Sequence, residues 1–386
     1  MSWLNTSDPE EELIRLNDKK ALFYLPVIIY MLILMFVGTF GNILVFCVYF
    51  SKQTKTSSHY FILALAMLDL LTCLIGMPTE VADLRYPYMF YAPAACKLLR
   101  FIESVSIIGS SIVLIAVAFD RYFRICRLGR QVTVKHAKMA CLVSVIIGLL
   151  AAWPACLLFG EKSVDIGIEG VEAIDCSTDD SVRGTIYPML YYGFLFLIFI
   201  GCFIFFTVIY LRIGIVIWKR KRAKIGSKIG EKLPETPMGK DKPSTDHVSN
   251  DPISTEMSSE NDGSWESERR KSTISARAFK KQSSKNQIKV TRTTVVLFAV
   301  TVAYVISFLP FLIVMVLRST IQDFEDHLSS AAELVYKFCS KSYFINNAIN
   351  PCIYSFLNLN FRKDTKNLIK RILASCCCRN RAGTTV

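Results

Sequence analysis

Among the ionisable side chains that interrupt long apolar runs in this 386-residue chain are Asp69, within Leu65-Ala66-Met67-Leu68-Asp69, then Glu103, and Arg121. A charge inside such a run is costly unless a partner or an ion compensates it, so these residues mark ion sites or switches. Eighteen positions separate Glu103 from Arg121, about five full turns, which sets both on one helical face roughly 27 Å apart along the axis. Ser110 falls within about 20° of that stripe; taken alone, its hydroxyl reads as an interhelical hydrogen-bonding group. The chemistry that suits this pattern is ion pairing and cation binding. No His, Cys, Asp and Glu cluster has metal-ligand spacing and no nucleophile stands beside an evident base, so the sequence does not read as an enzyme.

The elements that position these charges follow from hydropathy. The chain is 52% hydrophobic with a mean hydropathy of +0.37, too apolar for an ordinary soluble domain. Seven apolar stretches of spanning length are predicted at 22–50, 59–83, 95–125, 138–160, 186–218, 288–318 and 331–356. Their continuous apolarity predicts an all-α membrane protein, a seven-helix bundle, rather than a barrel with period-two alternation. Residues 1–20 are polar and acidic, so the run from Leu22 reads as an uncleaved signal anchor.

One set of connections carries Lys52 and Lys55, then Arg124, Arg127, Arg130 and Lys135, then Lys219, Arg220, Lys221 and Arg222; the other is acidic, with Glu10, Glu11 and Glu12, then Asp165, Glu169, Glu172, Asp175, Asp179 and Asp180, then Asp323, Glu325 and Asp326. The basic set is expected in the cytosol, which puts the N-terminus outside the plasma membrane. The same clustering accounts for the net charge of +13 without a nucleic-acid partner.

The organisation expected is an extracellular segment 1–21 with a glycosylation acceptor at Asn5, a bundle over 22–358, and a surface helix and tail over 359–386. Within the bundle, about 219–287 is rich in Ser, Lys, Glu and Pro and reads as a disordered cytoplasmic loop. Its Arg269-Arg270-Lys271-Ser272 run is a phosphorylation candidate. Phe361, Leu368, Ile369, Ile372 and Leu373 among basic residues predict an amphipathic helix on membrane lipid. Cys376, Cys377 and Cys378 beyond it are palmitoylation candidates. Thr384 and Val386 end the chain in a PDZ-ligand pattern.

Four short motifs then come in order: Gly41-Asn42 with Val45, Leu65-Ala66 with Asp69, Asp120-Arg121-Tyr122, and Asn350-Pro351 with Tyr354, followed by Phe361-Arg362. In type, order and spacing they resemble the rhodopsin-like family of G-protein-coupled receptors, over about 22–375. The resemblance implies activation of a heterotrimeric G protein, with arrestin and receptor kinases as further partners. It implies that Arg121 is a switch restrained by Asp120 when inactive and contacting the G protein or Tyr210 when active, with Tyr354 as its seventh-span partner. It also implies a sodium site at Asp69, Ser110, Asn346 and Asn350, oxygen ligands suited to a hard cation, and a disulfide between Cys96 and Cys176. No other cofactor is expected. The chain departs from the family pattern in Phe308, which stands two residues before the kinking Pro310 in place of a tryptophan and beside Tyr304, in Cys202 and Leu128 in place of prolines, and in a tryptophan at Trp153 rather than near Ser144.

For the ligand, Glu103 takes the place of the aspartate that pairs with ammonium groups in amine receptors of the family. Glu80 is expected near the outer end of the cavity, with Phe311, Tyr336 and Tyr343 as aromatic walls for a cation. The acidic outer loops predict an electronegative pocket. A basic neuropeptide is the leading ligand class and an amine the alternative. An ion-coupled transporter or channel is the reading from another class, but the two halves show no repeat. A retinal-linked lysine is not expected, because the opsin position is Phe344 here; Lys341 lies about a turn further out and is expected either to pair with an acidic outer group or to snorkel to the interface.

Overall fold

The computed structural model describes residues 8–127, 132–168, 170–230, 294–318, 320–321, 324 and 327–382. Asn5, Leu128, Arg130, Glu169, Asp323, Glu325, Asp326, Thr384, Val386 and the 231–293 part of the inner loop, including Arg269 to Ser272, lie outside them, as do the Cys376, Cys377 and Cys378 side chains. By contacts the chain divides into one unit of Met1–Ile213 with Thr293–Val386 and a second of Gly214–Arg292. The described part of the second is helical, as far as Gly230.

Among the described residues six helices are long and apolar enough to cross a membrane: Leu25–Phe50, Ser57–Arg85, Pro93–Cys126, Val134–Leu158, Tyr187–Arg220 and Thr294–Arg318. The seventh span divides into two shorter helices, Ser330–Ser340 and Ile345–Leu357, joined by a 3-10 turn at Ser342–Phe344. The third span is the axis of the bundle: 72% of its most apolar stretch is buried, against 28% for the first and fourth spans. Leu142, Ile146, Leu149 and Leu150 of the fourth span are exposed, the apolar face that a helix presents to hydrocarbon.

Small residues set the closest approaches. A Cβ added at Gly148 would lie 3.1 Å from the Val105 carbonyl and 3.4 Å from the Gly109 nitrogen, so the third and fourth spans meet backbone to backbone. A Cβ at Gly41 would meet the Pro351 ring at 2.6 Å, so that glycine lets the first span close on the seventh. A π turn at Thr72–Gly76 precedes Pro78 in the second span, where the missing N–H and the ring disfavour a regular helix.

The structure corrects the expected boundaries in three places. The apolar run starting at Leu22 is two helices, because Pro9–Phe23 is a separate helix that ends at Tyr24, and Pro26 opens the first span. Asp8 caps the separate helix, with its side chain accepting from the Glu10 N–H at 3.3 Å, and Leu13, Asn17 and Ala21 bury one face of it. The fourth run does not continue to 160. Phe159 turns extended and begins strand β1, Phe159–Val164, which pairs antiparallel with β2, Ala173–Thr178. A hairpin therefore fills the connection between the fourth and fifth spans, where only a long acidic loop was expected. Finally, the helix after the seventh span opens at Leu359, as expected, but runs to Ala382, so Cys376, Cys377 and Cys378 fall within it rather than beyond it. Asn358 caps it, accepting from the N–H groups of Asn360 at 3.1 Å and Phe361 at 3.2 Å.

Gly148→Leu is expected to destabilise the purified protein by about 1–3 kcal/mol through overpacking. Leu149→Ala on the exposed face should stay within about 0.5 kcal/mol. Thermal melting in one detergent compares the two.

Candidate functional site

The candidate site has three tiers along the third span. At the outer end, Arg100, Glu103, Phe311, Tyr336, Lys341 and Tyr343 line a cavity beneath the hairpin. The hairpin is held over it by the Cys96–Cys176 disulfide, which joins β2 to the third span. On the rim, hydrogen bonds from Ser181 hold the Asp179 carboxyl below its ordinary pKa, and Asp179 faces Lys97 at 4.0 Å.

The expectation of an electronegative cavity is overturned. Arg100 Nη1 lies 3.1 Å from Glu103 and 3.5 Å from Glu80, and the Lys341 ammonium pairs with the other Glu80 oxygen. Arg318, Lys337, Asp83 and Asp175 also line the cavity, so both signs are present and neither dominates. Glu80 is fully buried behind Arg100 and Lys341 and does not line the cavity. The acidic partner expected for Lys341 is Glu80 itself. Arg100 was missed, although its place three residues before Glu103, one turn away on a helix, was a visible signal.

An aromatic chain leads inward from the cavity. Phe311 packs on Tyr343 with ring centroids 4.8 Å apart, Tyr343 faces Phe308 at 6.1 Å, and Phe308 meets Tyr304 at 4.6 Å. Tyr304 shares a 2.6 Å hydrogen bond with Ser111 of the third span. Beside Pro310, the Ser307 carbonyl accepts from Ser342 Oγ at 2.8 Å, which ties the sixth span to the turn in the seventh. Cys202 is buried, and the fifth-span helix continues through it.

In the middle tier Asp69 is fully buried. It accepts from Asn347 Nδ2 at 3.1 Å and Asn350 Nδ2 at 2.9 Å, so two amides of the seventh span meet it directly. Asn42 Nδ2 donates to the Asn347 carbonyl at 2.7 Å. Ser110 Oγ, Asn346 Oδ1 and Asn350 Oδ1 are buried with no hydrogen-bond partner among the described residues.

At the inner end Arg121 pairs with Asp120 and donates to Ser58. Asp120 also accepts from Ser57 Oγ at 2.9 Å and Arg124 Nε at 3.0 Å. Tyr210 shares a 3.0 Å hydrogen bond with Thr301. Tyr354 packs between Tyr49 and Phe361, and Tyr122 has its ring against Phe123. Arg121 is thus fastened to Asp120 and the second span, with Tyr210 and Tyr354 engaged elsewhere. The hydroxyls of Ser57 and Ser58 were missed, since nothing in their sequence neighbourhood points at a residue sixty positions away.

Comparison with known proteins follows the same lines. The family model described as 7 transmembrane receptor (rhodopsin family) matches residues 41–354. The chain is 22% identical to neuromedin-U receptor 2 of Rattus norvegicus, over 99% of this chain and 84% of that protein. It is 24% identical to the Homo sapiens receptor of the same name, over 92% and 74%. The octopressin receptor of Octopus vulgaris is 26% identical, over 83% and 73%.

Asn347→Ala removes a donor from buried Asp69, whereas Asn346→Ala removes an amide that does not touch it. The first is expected to cost about 1–3 kcal/mol more than the second, the penalty for an unsatisfied buried polar group, measured as the difference in thermal stability of the two purified variants.

Proposed function

Because the chain belongs to the rhodopsin family of seven-transmembrane receptors, we propose that it is a multi-pass receptor of the plasma membrane that binds an extracellular peptide and activates a heterotrimeric G protein inside the cell. The observation that carries this reading is the third span, which holds a charged cavity at Glu103 and a fastened arginine at Arg121 on one helix. Basic inner connections support the N-out orientation.

A peptide is favoured by two lines of support. Relatives bear the names of receptors for neuromedin U, cephalotocin and octopressin. The mixed charges of the cavity also suit a ligand with several polar groups better than a small amine, whose single ammonium would have to displace Arg100 from Glu103. The acidic outer residues favour a basic peptide at the encounter stage.

The mechanism is a shift of population. A ligand that contacts the active arrangement better than this one favours release of Arg121 from Asp120 and Ser58 and separation of the inner ends of the third, fifth and sixth spans. The exchange of partners would bring Arg121 toward Tyr210 and Tyr354. The Leu359–Ala382 helix would lie on the inner leaflet, with Cys376, Cys377 and Cys378 for lipid attachment. Arrestin and receptor kinases would meet the same inner face, and a PDZ-domain protein the tail. Asn5 would carry glycan outside.

The middle tier fits a sodium ion. The Asp69 carboxylate and the unpartnered oxygens of Ser110, Asn346 and Asn350 form a hard-oxygen set. A bound cation there would neutralise Asp69, and these residues would bind it only while their spans keep this spacing.

A screen of synthetic neuropeptides and amines on cells reporting calcium and cyclic AMP identifies the agonist, with a peptide expected. With that agonist and purified G protein, Arg121→Gln should lower stimulated nucleotide exchange to the rate of the G protein alone; unchanged exchange would overturn the relay. Asp69→Asn should abolish any dependence of agonist affinity on sodium concentration, read by titration against choline at constant ionic strength.

A further inference from the structure

Glu80 belongs to the outer tier yet does not line its cavity. It lies in the second span with no exposed surface, beyond the reach of water and behind the cavity wall. An isolated carboxylate in that position is strongly disfavoured, and the chain supplies two cations to it from two other spans: Arg100 of the third at 3.5 Å and Lys341 of the seventh. Arg100 also holds Glu103 at 3.1 Å. Two carboxylates and two cations make a neutral group that joins three spans.

Lys341 stands where the seventh span is interrupted. It closes the helix Ser330–Ser340, and the 3-10 turn Ser342–Phe344 begins on its far side. The next residue, Ser342, is tied to the Ser307 carbonyl of the sixth span. Two adjacent side chains therefore pin the break, one to the second span and one to the sixth. Beyond it the lower helix, Ile345–Leu357, carries Asn347, Asn350 and Tyr354.

We propose that Glu80 is a cation site for a primary ammonium, filled in this structure by the chain's own Lys341, and that this pairing is a clasp which holds the seventh span in its present arrangement. Lys341 acts as a positioning residue: it sets the lower helix through the break and need not touch the peptide. The signalling consequence rests on the receptor reading above; the cation site does not.

The test uses the full chain in lipid nanodiscs and two readouts, thermal melting and ligand-independent nucleotide exchange on a G protein. The probes are ammonium chloride, whose one nitrogen matches the single heavy atom that Lys341→Met removes, and, as a control of equal ionic strength, tetramethylammonium chloride, which has no N–H. Lys341→Met is expected to melt below the unmodified chain and to raise basal exchange by roughly fivefold or more, the lower range of coupling between two sites. Ammonium should reverse both changes and tetramethylammonium neither. Glu80→Gln with Lys341→Met should restore melting and ignore both salts. If Lys341→Met does not fold while the double variant does, the compensating role of the ammonium is upheld.

Melting of Lys341→Met equal to that of the unmodified chain, or an equal response to the two salts, overturns the site. Failure of both variants to fold also overturns it, since the pair would then be needed for packing and not for charge. Rescue of melting without exchange under any condition, agonist included, would sink the receptor reading and leave the cation site standing.

Discussion

Charge compensation inside a low-dielectric bundle is the constraint on which this structure turns. An ion cannot be left alone among apolar side chains, because the loss of hydration exceeds anything packing returns. The buried ions Glu80, Asp69, Glu103 and Arg121 are therefore answered by polar partners on their own span or on another. Glu80 and Glu103 share Arg100, and Lys341 completes the group. Asp69 is answered by two amides of the seventh span. Arg121 meets the carboxylate beside it and a hydroxyl of the second span.

These requirements also tie the helices together in an order that suits transmission. The second span contributes to all three tiers, through Glu80, Asp69 and Ser58, and the seventh to the outer two, through Lys341 and through Asn347 with Asn350. The third span carries Glu103 and Arg121 and is the most deeply buried of the spans compared. A change of partner in one tier alters the helices that supply partners to the next, with no side chain bridging the whole distance. The aromatic chain from Phe311 through Tyr343, Phe308 and Tyr304 to Ser111 offers the sixth span a parallel contact with the same axis.

Close packing keeps these distances short. Gly41 admits the Pro351 ring, and Gly148 and Gly109 bring the third and fourth spans into backbone contact. The hairpin and its disulfide close the outer end. Cys202 and Phe308, the departures from the expected family pattern, are both buried and the helices remain continuous. The departures are absorbed by side-chain packing, with Phe308 keeping its place between Tyr343 and Tyr304.

Hydropathy is summed along the chain, so the sequence alone determined the spans, with seven apolar runs and the motifs from Gly41 to Tyr354 enough to identify the architecture. Asp69, Glu103 and Arg121 were legible for the same reason, as charges in runs that should have none. Which partner answers each charge was a matter for the tertiary structure. Lys341 meets Glu80 across 261 positions of sequence, and Asn347 is chosen over Asn346 by the rotation of the seventh span. The helix break at Lys341, the hairpin after Phe159 and the sign of the cavity follow from such meetings. Hydrophobicity is carried by each residue wherever it stands, whereas compensation of a buried charge depends on which side chains the packed helices bring within a few ångströms of each other.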